Sequence, residues 1–118
     1  MDIRLLEPGV LYALLPPEPQ LRPELTLLRQ GVPGNEEAHL VLDLSRVEII
    51  TSPSIGGLLL LQRQLSQRGR RLVLCSARLA TKCIFRVAGL DTLFDLAADK
   101  SEALAAVRRS QANLESQV

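Results

Sequence analysis

Three hydroxyls stand within four residues of one another, at Thr51, Ser52 and Ser54 in the run ITSPSIGGLLLL, residues 50–61. Hydroxyls placed just before an apolar, helix-periodic run can cap the helix by accepting from an orphan backbone N–H. The spacing reads Ser52 as the N-cap and Pro53 as N1, where a missing N–H costs least and φ is preset. Ser54 then fills the first turn. Asp43 near the end of HLVLDLS is a second candidate, an acid suited to holding loop N–H groups in place. We read it as a loop organiser before a functional acid. His39, the only histidine, has no histidine or cysteine partner in view, and Cys75 and Cys83 read as two reduced core thiols.

The remaining inventory is thin. No Ser-His-Asp or Cys-His arrangement, no metal-ligand set, no GxGxxG and no P-loop is present in the sequence, so we expect a protein that is not an enzyme and carries no cofactor and no metal. TSPSIGG at a helix start would suit a nucleotide phosphate, but Pro53 removes a donor and no lysine follows the glycines. The formal net charge of +1 gives no basic field for nucleic acid. The arginines Arg68, Arg70, Arg71 and Arg78 cluster as a solvated helix end and strand start would. The aromatics, Tyr12, Phe85 and Phe94, are too few for a base-stacking surface. The first residues lack the pattern of a secretory leader, and no apolar run is long enough to cross a membrane. A cytoplasmic protein without direct membrane insertion is the expectation.

The elements that must position these residues are legible from periodicity. Segments 2–6 and 10–15 read as strands joined by a turn at Glu7-Pro8-Gly9. Prolines 16, 17 and 19 make 16–22 a loop, and Pro23 opens a short helix over 23–30 that buries Leu25 and Leu28. Gly31 closes it, and Pro33-Gly34-Asn35 is a turn. Segment 39–45 is a buried strand. The helix that starts at Ser52 presents Ile55, Leu58, Leu59 and Leu65 as one stripe, widened by Leu60 and Leu61, and ends at Gly69. Gly56 and Gly57 cost this helix about 1 kcal/mol each against alanine. Close approach of another backbone, from the sheet or a partner, would explain them.

Segment 71–76 is a further strand. A helix over 79–88 carries Leu79, Cys83, Ile84 and Val87 on one side and ends at Gly89. Residues 93–97 form a last strand. Ser101 caps a C-terminal helix, 101–115, with Leu104, Val107 and Leu114 inward, and the last three residues fray. Strands alternate with helices from residue 39 on, which predicts parallel pairing with right-handed crossovers. The whole chain, 1–118, fits one α/β domain with a mixed, largely parallel sheet of about five strands. In such sheets sites lie at the carboxyl ends of the strands, here the 47–54 loop and the helix entrance.

These residues resemble the STAS (sulfate transporter and anti-sigma factor antagonist) family. The run HLVLDLSRVEIITSPSIGGLLLLQRQLSQRGRRLVLCSA looks like the family's core, and VAGLDTLFDL like its element before the last strand. The likeness covers 39–107. The N-terminal third, with its prolines, matches less well. The resemblance implies an interaction module that binds a kinase-like anti-sigma factor and is switched by phosphorylation of a serine at this helix start. It also leaves open a constitutive scaffold subunit of a transporter or signalling complex, and a nucleotide-binding module. The family loop commonly reads Asp-Ser-Ser-Gly-Leu-Gly. Anchoring on Ile55-Gly56 puts Thr51 at the aspartate, Ser52 at the first serine, Pro53 at the usual phosphoacceptor and Ser54 at the glycine. Proline has no hydroxyl, so the acceptor candidates become Ser52, Ser54 and Thr51. The partner surface implied is Thr51, Ser52, Pro53, Ser54, Ile55, Gly56 and Leu58, and exposed edges leave room for a homodimer.

Overall fold

The strands alternate side chains between two apolar layers, and that alternation fixes the architecture. The computed structural model describes residues 2–32 and 34–116, with side chains to residue 109. Strands β1 (Asp2–Glu7), β2 (Val10–Leu14), β3 (His39–Asp43), β4 (Leu72–Cys75) and β5 (Asp95–Ala97) form one sheet in the order β1-β2-β3-β4-β5. β1 and β2 form an antiparallel hairpin, and the other three pairs are parallel. Leu11, Ala13, Leu40, Leu42, Leu72 and Leu74 point into the larger core layer, which helices α1 (Leu21–Gln30) and α2 (Ser52–Gln67) cover. Val10, Tyr12, Val41, Val73 and Cys75 point the other way, to Ala103 and Val107 of α4 (Lys100–Ser116). A sheet covered on both faces needs near-continuous apolar strands, as the sequence has. No helix of the described residues is long and apolar enough to cross a membrane.

Element boundaries shift by a few residues, each for a local reason. α1 begins at Leu21 rather than 23, so Pro23 is its third residue, still where an N–H has no intrahelical acceptor. α2 is capped by Thr51 and not Ser52. Thr51 is extended (φ −90°, ψ 158°) and its hydroxyl accepts from the Ser54 N–H, which makes Ser52 the first helical residue. α2 buries Ser54, Leu58, Leu61 and Leu65, a stripe rotated from the expected one, and Leu60 faces solvent. Its other end closes on Gly69 (φ +70°), with the Arg70 N–H reaching the Leu65 carbonyl at 2.8 Å. α4 is capped by Asp99, whose carboxylate accepts from the Glu102 N–H at 2.8 Å, and not by Ser101. Its inner face is Ala103 and Val107 with Leu104 half-buried; Pro33, the side chain of Leu114 and the last two residues lie outside what is described.

The two helical glycines are not alike. A Cβ on Gly57 would stand 3.3 Å from Cδ1 of Leu25, so the close approach comes from an α1 side chain rather than a sheet backbone. A Cβ on Gly56 would meet nothing within 4 Å.

The largest correction concerns α3 (Leu79–Val87). Its inward residues are Thr81 and Phe85, and Phe85 packs on Phe94 with ring centroids 5.4 Å apart. The apolar side read from the sequence, Leu79, Cys83, Ile84 and Val87, faces solvent, so Cys83 is not a core thiol. Phe85 is the largest apolar residue of the helix, and burying it turns the aliphatic row outward. Thr81 comes inward with it, and its hydroxyl has no hydrogen-bond partner among the described residues. Removing that unpaired hydroxyl at nearly constant shape should help the fold. Thr81→Val is expected to raise unfolding stability by about 1 kcal/mol, read as a higher urea midpoint at unchanged slope.

Candidate docking site at the α2 entrance

The entrance of α2 is held shut by a carboxylate from the proline loop. Glu18 lies between Pro17 and Pro19, in the segment that leads from β2 to α1. One of its oxygens accepts from the Thr51 backbone N–H at 2.8 Å and from the Thr51 hydroxyl at 2.6 Å. The other accepts from the Ser54 hydroxyl at 2.9 Å. Thr51 in turn accepts from the Ser54 N–H at 3.4 Å, so the cap is itself positioned by Glu18. α2 has no acid in its own first turn, and Glu18 supplies the anion its N-terminus favours. Partial burial raises the Glu18 carboxyl, but the donors on Thr51 and Ser54 outweigh it and hold the group below its ordinary value.

Asp43 organises the neighbouring loop as the sequence suggested, and more. Its Oδ1 accepts from the Ser45 N–H at 2.8 Å, and its Oδ2 accepts from the Tyr12 hydroxyl at 2.6 Å. Burial, then the Asp43 carboxylate, pushes the Tyr12 phenol well up, so it stays a proton donor to Asp43. Arg4 and Lys100 lie over the Tyr12 ring, at 5.4 and 4.9 Å from its centroid. Cys75, pushed up to about 11 by burial and then by Asp43, is an unreactive thiol. His39 is buried, and its Nδ1 accepts from the Arg71 N–H at 2.9 Å, a link between β3 and β4. Burial, then Arg70 and Arg71, lowers its pKa, which keeps it neutral. The clustered arginines are spread over the surface: Arg70 pairs with Glu37, Arg71 with Asp95 and Arg78 with Glu48.

The site residues separate by exposure. Thr51, Ser52 and Pro53 are exposed, and Ile55 and Gly56 are half-buried. Ser54 is fully buried and committed to Glu18, and Leu58 is core, so neither lies on the outer surface. This corrects the expected partner surface at those two positions: the helix turns residues 54 and 58, four apart, to the same inner side. Glu18 divides two open depressions. One, about 500 Å³, is lined by Pro19, Arg22, Pro23, Thr51 and Pro53, and the other, about 490 Å³, by Pro17, Arg46, Glu48 and Ile49. The carboxylate occupies the Thr51 N–H that a bound phosphate would need, which counts against a phosphate cradle here. Sequence reading missed Glu18 and Tyr12. A lone acid in a Pro-Pro-Glu-Pro run was the available signal for the first, since prolines fix where that carboxylate can reach.

The family model described as "Mlab, STAS domain" matches residues 22–97. A curated relative named as the anti-sigma factor antagonist BtrV of Bordetella bronchiseptica is 33% identical over 72 residues. The alignment covers 61% of this chain, which spans only 62% of that relative's length. Among solved structures, a Thermotoga maritima protein described as an anti-sigma factor antagonist superposes with a TM-score of 0.72 at 21% identity, covering 91% of this chain and 93% of its own. A sulfate transporter family protein from Wolinella succinogenes superposes with a TM-score of 0.76 at 16% identity, covering 91% of each chain. At such identities the two structures share the fold.

The Glu18 latch carries a pH signature. A carboxyl held below its ordinary value stabilises the fold in full above that value and loses the contribution as pH falls through the folded one. Glu18→Gln is therefore expected to lower neutral-pH stability by about 1 kcal/mol and to flatten the fall in melting temperature below pH 5. Thermal melts of both proteins from pH 7 to pH 3 measure it, and parallel curves would show that Glu18 is not the titrating group.

Proposed function

The chain belongs to the STAS domain family, and on that footing we propose that it is a non-enzymatic interaction module of the anti-sigma factor antagonist type. Its partner is a kinase-like anti-sigma factor or related signalling protein, which it meets at the α2 entrance. The observation that carries this reading is Gly56. This half-buried helical position has open space where its Cβ would be, so nothing within the fold requires a glycine there. A glycine in a helix is destabilising. Closure of a partner over the smooth surface formed by Ser52, Pro53, Ile55 and Gly56 gives that glycine a use. The two depressions beside Glu18 extend the same edge.

Ser52 is the acceptor that fits phosphate control. Pro53 lacks a hydroxyl, Ser54 is buried and Thr51 is tied to Glu18, whereas the Ser52 side chain is exposed on the first helical residue. A phosphate on Ser52 would bring two further negative charges to a helix end that already holds a carboxylate. Repulsion would loosen the Glu18 latch and spoil an interface that includes Ile55. A constitutive scaffold role is the second reading, and it is favoured by the internal use of two of the three hydroxyls.

Two measurements test this. Gly56→Ala is expected to raise stability by about 0.5–1 kcal/mol while weakening partner capture. Ile55→Asp is expected to abolish capture and, because the buried part of Ile55 packs on the core, to lower the melting temperature of a protein that still folds. Capture from native cells with wild type and variants side by side, the bound proteins identified by mass spectrometry, reads both; equal recovery by all three would sink the docking edge. Phosphosite mapping of the chain recovered from the same cells is expected to find Ser52 modified. An unmodified Ser52 with capture intact would instead establish the scaffold reading.

A further inference from the structure

We propose that the outer face of α3 is a second docking surface, built for a partner helix that carries a row of carboxylates beside an apolar row. It does not rest on the α2 entrance, since all of its residues lie outside 47–60. Three apolar residues recur at one-turn spacing along the exposed side of α3: Leu79, Cys83 and Val87, with Leu79 77% and Val87 89% exposed. Ile84, 37% exposed, widens the row. One residue earlier at each turn stand Arg78, Lys82 and Arg86, all exposed. Residues on the i±4 rows of a helix form ridges. Arg78 is the extended N-cap, so α3 itself presents a short cationic ridge, Lys82 and Arg86, alongside an apolar one that rises roughly 12 Å over eight residues.

The charge pattern selects the occupant. Residues 78–88 contain three cations and no acid. Arg78 leans to the β3–α2 loop, donating to the Ser45 carbonyl at 3.4 Å and lying 3.9 Å from Glu48, whereas among the described residues Lys82 and Arg86 form no ion pair, although Asp91 lines the same depression. The inner side of the helix is occupied by Phe85 against Phe94, which keeps the apolar row facing outward. A second helix packing ridge against groove would set glutamates or aspartates opposite the cations and cover Leu79 and Val87 with its own aliphatic residues. An anionic membrane is the poorer match. Helices that lie in a bilayer interface bury a broad apolar face, whereas this one offers a single short row with cations along one side.

Cys83 provides a reporter within the patch. It is exposed, while Cys75 is buried with its thiol pushed up, so only Cys83 should alkylate readily. The probe is a synthetic helical peptide of about 18 residues, with leucines and glutamates in adjacent four-residue rows. It is added to the intact chain, and the rate of iodoacetamide labelling is followed with amide NMR shifts. At saturation the peptide is expected to slow Cys83 labelling about fivefold or more, with protection lost in high salt. Shifts should centre on 78–87. Lys82→Glu with Arg86→Glu, both at exposed positions, is expected to keep the fold, lose the protection and gain it with the lysine-for-glutamate peptide. The proposal is overturned by any of four results: no protection by the acidic peptide, equal protection by both peptides, protection by phosphatidylglycerol vesicles but not by the peptide, or protection that grows with protein concentration alone and so marks a second copy of this chain.

Discussion

A carboxylate at the positive end of a sixteen-residue helix ties the proline loop between β2 and α1 to that helix. Without Glu18, the proline segment between β2 and α1 would have no polar anchor on α2, and the Thr51 cap would lose the group that orients its hydroxyl. The apolar contacts do not supply this. Leu21, Leu25 and Leu28 hold α1 to the core, but they leave the loop before it free to choose its path. Hydrogen bonds to an ionised acceptor are stronger than neutral ones and directional. Three of them converge on one side chain whose backbone is bracketed by prolines, so little conformational freedom is lost when they form.

The same arrangement decides what the α2 entrance can do. A helix N-terminus is a general anion site, and in this chain the anion is built in. The Thr51 and Ser54 donors that would greet a nucleotide phosphate are in use and Pro53 has none, so the entrance reads as a surface and not a cradle. Its outer skin is the exposed Ser52 and Pro53 with the half-buried Ile55 and Gly56, beside a hydroxyl network of which only Ser54 is buried. Partners that bind such a surface gain from close approach more than from polar pairing, and a glycine with open space above it is consistent with that.

Much of the fold was legible because its causes are local. Strand alternation, Gly31, Gly69 and Gly89 each act within a few residues and stand where the sequence put them, and the proline at the α2 entrance is one place further in, at the second helical residue. The sheet's parallel half follows from the alternation of strands and helices. What escaped was set at a distance. The cap moved from Ser52 to Thr51 because an acid 33 residues earlier holds the Thr51 hydroxyl, and no window around the helix contains that acid. Asp43 was legible as a loop organiser through its neighbour Ser45, but its Tyr12 partner is across the sheet.

α3 shows the limit most clearly. Helical periodicity establishes that the nine residues have two sides; it is silent on which side faces in. Leu79, Cys83, Ile84 and Val87 outnumber the apolar residues of the opposite side, and by count they should be core. Volume and geometry decide otherwise. Phe85 has an aromatic partner in Phe94, and that contact exists only if the helix is turned so that the aliphatic row faces out. Burying Phe85 also draws in Thr81, whose hydroxyl has no partner among the described residues, a cost of roughly 1–3 kcal/mol. A rotation that exposes four apolar side chains and buries an unpaired hydroxyl is poor for an isolated domain. It is reasonable for one whose α3 is covered in its working assembly, because the apolar row and the cations beside it then exchange water for a partner.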